Sequence, residues 1–235
     1  MSKFTFIFGD KKSGKPGVFI GYYGFWVNLT YLSVVSAVAG MYFALGGNIG
    51  YAIFCLMVCG LCDMFDGPVA RLAKRTKREE GYGIQLDALA DIISFGFFPA
   101  VIGYAVGTHY LSQEYASIGM IVSIAIAAIY VLAALIRLAY FTVIEVELQH
   151  KNERRTYYEG LPVTFVALII PMVYSVCLIF NIALSAVYDV MLLIVSILFV
   201  LRVKIPAMKG SQRLIFLFIG LPLAIYLIWN IGVTI

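Results

Sequence analysis

Residues 63–91 read DMFDGPVARLAKRTKREEGYGIQLDALAD, with Asp63 and Asp66 at the end of one apolar segment and Asp87 and Asp91 at the start of the next. A carboxylate in or beside hydrocarbon costs several kcal/mol unless it is compensated, so an intramembrane acid marks a functional site by default. Side chains three or four apart share a helix face. Asp63, Asp66, Gly67, Ala70 and Arg71 therefore form one stripe, and Gly83, Asp87, Asp91 and Phe95 form another. If the two helices pack as an antiparallel pair, the stripes face each other and four carboxylates meet. Their mutual repulsion then calls for cations.

Working outward, the surroundings identify a membrane protein. Of the 235 residues, 62% are hydrophobic and only 13% are charged, and the mean hydropathy is +0.94, outside the range of ordinary soluble domains. A helical span needs about 20 mostly apolar residues. Seven segments meet that requirement, at 24–45, 49–72, 84–106, 116–142, 161–180, 184–202 and 213–233. Breaks fall at Gly46-Gly47-Asn48, at 152–160, at Asn181 and at Lys209-Gly210-Ser211. The expected fold is all-α: a polytopic helical membrane protein with a six-helix core and one extra C-terminal span. In domain terms, 1–23 is an N-terminal cytoplasmic or interfacial segment, 24–202 a six-span catalytic membrane domain, and 203–235 an additional span.

The 17 Lys and Arg residues test the orientation. Lys3, Lys11, Lys12 and Lys15 precede the first span, and Arg71, Lys74, Arg75, Lys77 and Arg78 separate spans two and three. Lys151, Arg154 and Arg155 follow span four, while Arg202, Lys204, Lys209 and Arg213 flank the connection between spans six and seven. The alternate connections, near Gly46, Thr108 and Asn181, carry none. This alternation places the N-terminus and the aspartates on the cytoplasmic side. The net charge of +4 then points to anionic membrane lipids, the cluster from Lys151 to Arg155 among the contacts, rather than to nucleic acid. No short apolar core with a small-residue cleavage site precedes the first span, so a cleaved signal peptide is not expected. Phe4, Phe6, Phe8 and Phe19 among lysines and glycines suit either a surface-lying segment or a basic tail.

Other signals carry little. Cys59 and Cys62 form a C-x-x-C inside an apolar helix and read, like Cys55 and Cys177, as small hydrophobes without disulfides. His109 and His150 lack partners at metal-ligand spacing, and there is no internal repeat, Gly-rich phosphate loop or Ser-His pair.

Hard carboxylate oxygens favour Mg²⁺ or Mn²⁺, with Ca²⁺ also admissible. Four of them suit a pair of divalent cations able to clamp phosphate oxygens, with Asp66 and Asp87 as bridges. Gly67, Ala70 and Gly83 leave a trough for a base or diphosphate, or simply allow close helix packing. Arg71 is placed for phosphate recognition or as an interfacial anchor.

These residues resemble the CDP-alcohol phosphotransferases, integral membrane enzymes whose signature D-x-x-D-G-x-x-A-R, a gap, then G-x-x-x-D-x-x-x-D is complete here, although the gap from Leu72 to Tyr82 is longer than usual. The resemblance implies that Asp63, Asp66 and Asp87 bind metal, that Asp91 both binds metal and acts as general base, and that Gly67, Ala70, Arg71 and Gly83 line the cytidine diphosphate site. It also implies a homodimer. Ser94-Phe95-Gly96, the run Ile136 to Phe141 and Glu159-Gly160-Leu161-Pro162 look like the phosphatidylserine synthase branch, although Val163-Thr164 replaces a usual second proline. That likeness implies transfer of a phosphatidyl group from CDP-diacylglycerol to L-serine with release of CMP, in the cell membrane. Arg137, the one basic residue inside a span, and Ser94 are candidates for serine or lipid phosphate; Arg137 could instead pair with an aspartate. Asn28 and Thr30 are further nucleotide-pocket candidates.

Rival readings are another acceptor, glycerol phosphate or an inositol phosphate, and transfer of a CDP-linked amino alcohol to diacylglycerol. From a different class comes a divalent-cation transporter, which predicts charges spread through the membrane depth and often repeated halves.

Overall fold

The computed structural model describes residues 20–110, 116–151, 157–206 and 210–233. The N-terminal lysines and phenylalanines, Arg154, Arg155 and Lys209 lie outside the described residues.

A short 3-10 turn, Phe25–Val27, leads into α1, Asn28–Leu45, and α2 follows at Ile49–Leu72. The turn between them contains Gly47 at φ +80°, a backbone conformation with little steric cost only for glycine. The third rod begins at α3, Lys77–Asp91, widens into a π-helical segment, Ile92–Phe97, and continues as α4, Phe98–Tyr110. Next come α5, Ala116–Lys151, strand β1, Tyr157–Glu159, a 3-10 turn at Val163–Phe165, and α6, Val166–Phe180. Helix α7, Leu184–Val200, strand β2, Lys204–Pro206, and α8, Gly210–Val233, complete the order.

The seven expected segments all correspond to helical rods, and the protein is a polytopic helical membrane protein. Five helical stretches, Phe25–Leu45, Ile49–Leu72, Lys77–Thr108, Gly119–Leu148 and Val163–Phe180, are long and apolar enough to cross a membrane. The other two rods contain shorter apolar stretches, Val187–Val200 and Phe218–Trp229. Most of the outward face is apolar, with Tyr42, Val35, Ile121, Ile179 and Ile197 all exposed, as expected where lipid replaces water as solvent.

Two boundaries differ from expectation. The region after Leu72 was expected to be a long loop with the next helix starting at 84, but α3 begins at Lys77 and the connection shrinks to Ala73–Thr76. The reason is a capping box: the Thr76 hydroxyl accepts from the Glu79 N–H at 3.3 Å, and the Thr76 N–H donates to the Glu79 carboxylate at 2.8 Å. This satisfies two orphan donors at the helix start. The second difference is α5, which runs nine residues beyond the expected end at 142 because amphiphilic residues continue the helix after the apolar run stops.

The fold is helical apart from a small antiparallel ribbon in which Tyr157 pairs with Pro206, Tyr158 with Ile205 and Glu159 with Lys204. The ribbon is extended by Gly160 N–H donating to the Val203 carbonyl at 2.8 Å and Leu161 N–H to the Leu198 carbonyl at 3.1 Å. Gly160 has φ +78°, and a Cβ there would lie 2.8 Å from the Phe199 carbonyl oxygen, so only glycine fits.

The core centres on α2 and the third rod. Ala52, Ile53, Leu56, Phe95, Phe98, Ile102, Tyr130, Ile170 and Leu192 are buried in one cluster. α1 packs along α2, α5 against α4 and α7, and α6 and α8 both lie against α2. Several buried polar groups are paired across helices: Ser123 donates to Asp189 at 2.5 Å, and the Tyr188 hydroxyl to the Pro99 carbonyl at 2.9 Å.

Candidate active site

The short Ala73–Thr76 connection turns the chain back so that Asp87 of α3 meets Asp63 and Asp66 of α2. Asp63, Asp66 and Asp87 each offer a carboxylate oxygen, and these oxygens lie within 4.8 Å of one another. Asp91, one turn beyond Asp87, stands outside this trio but lines the same cavity as Asp63 and Asp87. The trio is an all-oxygen donor set contributed by two helices. Like charges this close are held together only by protons or by cations, and such donors fit hard divalent ions.

The cavity has a volume of about 480 Å³. Its lining carries five charged side chains, Asp63, Asp87, Asp91, Arg71 and Arg137, and is otherwise largely apolar, with Met57, Leu61, Phe141 and Leu168 among its walls. Gly67 opens directly onto it, since a Cβ added there would meet nothing within 4 Å. The next residue, Pro68, has no N–H to give the Met64 carbonyl one turn back, so the helix is locally loosened where Gly67 faces the space.

Arg137 is buried on α5 and reaches the cavity wall with its Nε donating to the Leu161 carbonyl at 3.2 Å. Its guanidinium lies 5.6 Å from the Phe141 ring centroid. Leu161 belongs to the segment secured by the ribbon, so Arg137 is oriented by backbone from a distant part of the chain. Two further groups were not singled out from the sequence. Glu145, two turns beyond Arg137 on the same face, lies within electrostatic range of Asp87; the pattern 137, 141, 145 at i+4 spacing was its signal. Gly220, Leu221 and Ala224 of α8 also line the cavity. The last span therefore contributes to its wall.

The remaining candidates sit elsewhere. Ser94 is buried with its hydroxyl 3.0 Å from that of Ser33 on α1, and it is not among the residues lining the cavity. Asn28 is exposed and Thr30 buried, and neither borders that space. Ala70 also lies outside the lining. Gly83 faces Trp26 and Arg75: an added Cβ would lie 3.2 Å from the Trp26 ring and 3.3 Å from an Arg75 nitrogen. Arg75 in turn stacks 5.4 Å from the Trp26 ring centroid. Here a small residue allows close packing.

A membrane bundle in which two consecutive helices bring four acids to or beside a cavity shared with two arginines fits the CDP-alcohol phosphatidyltransferase class, and the chain belongs to that family, matching it over residues 27–202. Among its relatives, the chain is similar to the CDP-diacylglycerol–serine O-phosphatidyltransferase of Saccharomyces cerevisiae, at 34% identity over 62% of this chain and 53% of that protein. The enzyme of the same name from Helicobacter pylori is 32% identical over 47% of this chain and 42% of its own length. The archaetidylserine synthase of Methanothermobacter thermautotrophicus is 27% identical over 77% of this chain and 69% of its own. The chain thus spans about half the length of the first two relatives.

Proposed function

We propose that this protein transfers a phosphatidyl group from CDP-diacylglycerol to the hydroxyl of L-serine and releases CMP. The observation that supports this reading best is the convergence of Asp63, Asp66 and Asp87 carboxylate oxygens within 4.8 Å, beside a cavity lined by Asp63, Asp87, Asp91, Arg71 and Arg137 and otherwise largely apolar. A nucleotide-activated lipid has the same division: a charged diphosphate and a hydrocarbon body. The serine transferases among the relatives favour serine as the acceptor.

In this reading the serine oxygen attacks the phosphorus bearing diacylglycerol, the bond from that phosphorus to the CMP oxygen breaks, and the hydroxyl proton passes to Asp91. An alcohol is a weak nucleophile at neutral pH, so a positioned base contributes roughly 10²–10⁴-fold. Asp63, Asp66 and Asp87, with Asp91, would hold two divalent cations, Mg²⁺ or Mn²⁺, which when bound neutralise charge developing on the diphosphate. Arg71 binds phosphate at the cavity mouth, and Arg137 takes the serine carboxylate or the lipid phosphate. Gly67 admits the diphosphate close to the helix backbone. The lipid enters sideways from the bilayer, whereas serine arrives from the cytoplasmic side, where the Lys and Arg distribution puts the site. Residues 24–202 form the catalytic unit, in a homodimer in the cell membrane.

Purified protein in detergent, given CDP-diacylglycerol, Mg²⁺ or Mn²⁺ and one alcohol at a time, tests this. CMP release with serine is expected. Release with glycerol phosphate or inositol phosphate in place of serine reassigns the acceptor, and no release with any alcohol overturns the reading.

A further inference from the structure

The third rod is not one continuous α-helix. Immediately after Asp91 it widens over Ile92–Phe97, where the Phe98 N–H bonds to the Ile93 carbonyl five residues back instead of four. The cause is in the sequence. Residue 99 is proline; it has no N–H for the carbonyl four residues earlier, that of Phe95, and its ring collides with that carbonyl in a regular α-helix. Widening relieves the collision but leaves the Phe95 carbonyl in the core without the donor that residue 99 would ordinarily provide. Tyr130, fully buried on α5, supplies one: its hydroxyl donates to the Phe95 oxygen at 2.6 Å. The Tyr130 ring is fixed in turn against Phe199, with centroids 5.5 Å apart.

The extra residue changes what faces the cavity. In an unbroken α-helix, Asp91, Phe95, Phe98 and Ile102 would lie along one row. One additional residue rotates everything before it by about 100° relative to everything after it. Phe98 is then free to fill the niche left by Gly40 on α1 beside Cys55 of α2, while Asp91 faces the cavity. A continuous helix would force the carboxylate and the phenyl ring to compete for one side.

We propose that Tyr130 is a positioning residue for Asp91: by holding the Phe95 carbonyl it maintains the wide turn that points the carboxylate at the reacting hydroxyl. This inference rests on the proposed transfer reaction. Tyr130 touches no substrate and does not line the cavity, so its effect falls on turnover and not on lipid binding.

The test compares Tyr130→Phe, Pro99→Ala and the double variant in detergent, measuring kcat and KM for CDP-diacylglycerol by CMP release, together with amide hydrogen exchange over residues 91–98. Tyr130→Phe is expected to lower kcat roughly 10- to 100-fold, the scale of a sub-ångström to 1 Å misplacement of a reacting group, with KM within about twofold of wild type and faster exchange in the wide turn. Pro99→Ala supplies an N–H four residues beyond Phe95 and so permits the regular α-helical bond, which turns Asp91 away from the cavity; it is expected to lower kcat with KM little changed, and the double variant is expected to lose no more than Pro99→Ala alone. Wild-type kcat in Tyr130→Phe or in Pro99→Ala, or losses that multiply in the double variant, overturns the proposal. If Tyr130→Phe does not survive purification, lowered kcat with near-normal KM in Pro99→Ala supports the proposal and wild-type kcat in it overturns it. Absence of CMP release by the wild-type protein overturns the proposed reaction instead, and the exchange data still report whether Tyr130 holds the turn.

Discussion

Two glycines of the acidic signature stand in opposite surroundings, and replacing each by alanine separates substrate space from helix packing. At Gly67 an added Cβ meets nothing within 4 Å, and the residue lines the cavity. Alanine inside a helix is favoured over glycine by about 0.8–1.0 kcal/mol, but here the next residue is Pro68, which disfavours the α conformation of any residue with a Cβ before it. The two effects offset each other, so Gly67→Ala is expected to melt within about 3 °C of wild type. The new methyl projects where the diphosphate is proposed to lie. Forcing such a group into filled space costs about 1–3 kcal/mol, a roughly 5- to 150-fold rise in KM for CDP-diacylglycerol at saturating serine. At Gly83 the added Cβ instead lies 3.2 Å from the Trp26 ring and 3.3 Å from an Arg75 nitrogen. Gly83→Ala is therefore expected to lower the melting temperature, with a smaller change in KM. The assay is CMP release at varied lipid concentration beside a melting curve in the same detergent. A Gly67→Ala protein with wild-type KM would refute the placement of substrate over that residue.

Asp91→Asn is expected to fold and melt like wild type but to lose at least 10²-fold in kcat, the scale of a general base; near-normal CMP release would remove Asp91 from that role. Mn²⁺ or Mg²⁺ is expected to raise the melting temperature of wild type, by the equivalent of about 2.7 kcal/mol at a concentration one hundred times Kd. The shift should disappear in Asp66→Asn and with chelator, and an equal shift in Asp66→Asn would argue against a metal at the trio. Thr76→Ala removes one side of the capping box and is expected to cost about 1 kcal/mol of stability with kcat little changed, as read from melting and CMP release together. Gly220→Leu narrows the cavity where α8 lines it, and KM is expected to rise for long-chain CDP-diacylglycerol more than for a short-chain analogue; equal effects on both would place the acyl chains elsewhere.

The acidic pair of stripes was legible because a helix repeats every 3.6 residues, and four acids at that period inside apolar sequence leave few alternatives. The helical segments were legible for a similar reason, since apolar runs mark them, although five of the seven are long and apolar enough to cross a membrane. The start of α3 was readable but was outweighed: Thr76-x-x-Glu79 is a capping signal, yet it sits in a run of five basic residues that reads as a loop. Glu145 was missed because hydropathy ends a span where lipid ends, whereas the helix itself continues. The wide turn after Asp91 has only half its cause in the local sequence. Pro99 announces a disturbed carbonyl at Phe95, but the choice between a kink and a π turn depends on Tyr130, thirty-five residues away. The role of α8 had no local signature, because an apolar helix with a few small residues packs as readily against lipid as against α2 and α6.

The charge balance of the cavity bears on the order in which ligands enter. Four aspartates face it or adjoin it against two arginines, and Glu145 adds a further acid near Asp87. Acids this crowded are held together by protons or by cations, so a bound divalent cation adds positive charge that the two arginines alone do not supply. The anchoring of the two arginines differs: Arg71 is exposed, while Arg137 is buried and oriented by the Leu161 carbonyl. In the proposed reaction, such an arrangement favours cation entry before CDP-diacylglycerol. The acids stand in the second half of α2, at Asp63 and Asp66, and in the last turns of α3, at Asp87 and Asp91, beside a cavity whose remaining lining is largely apolar.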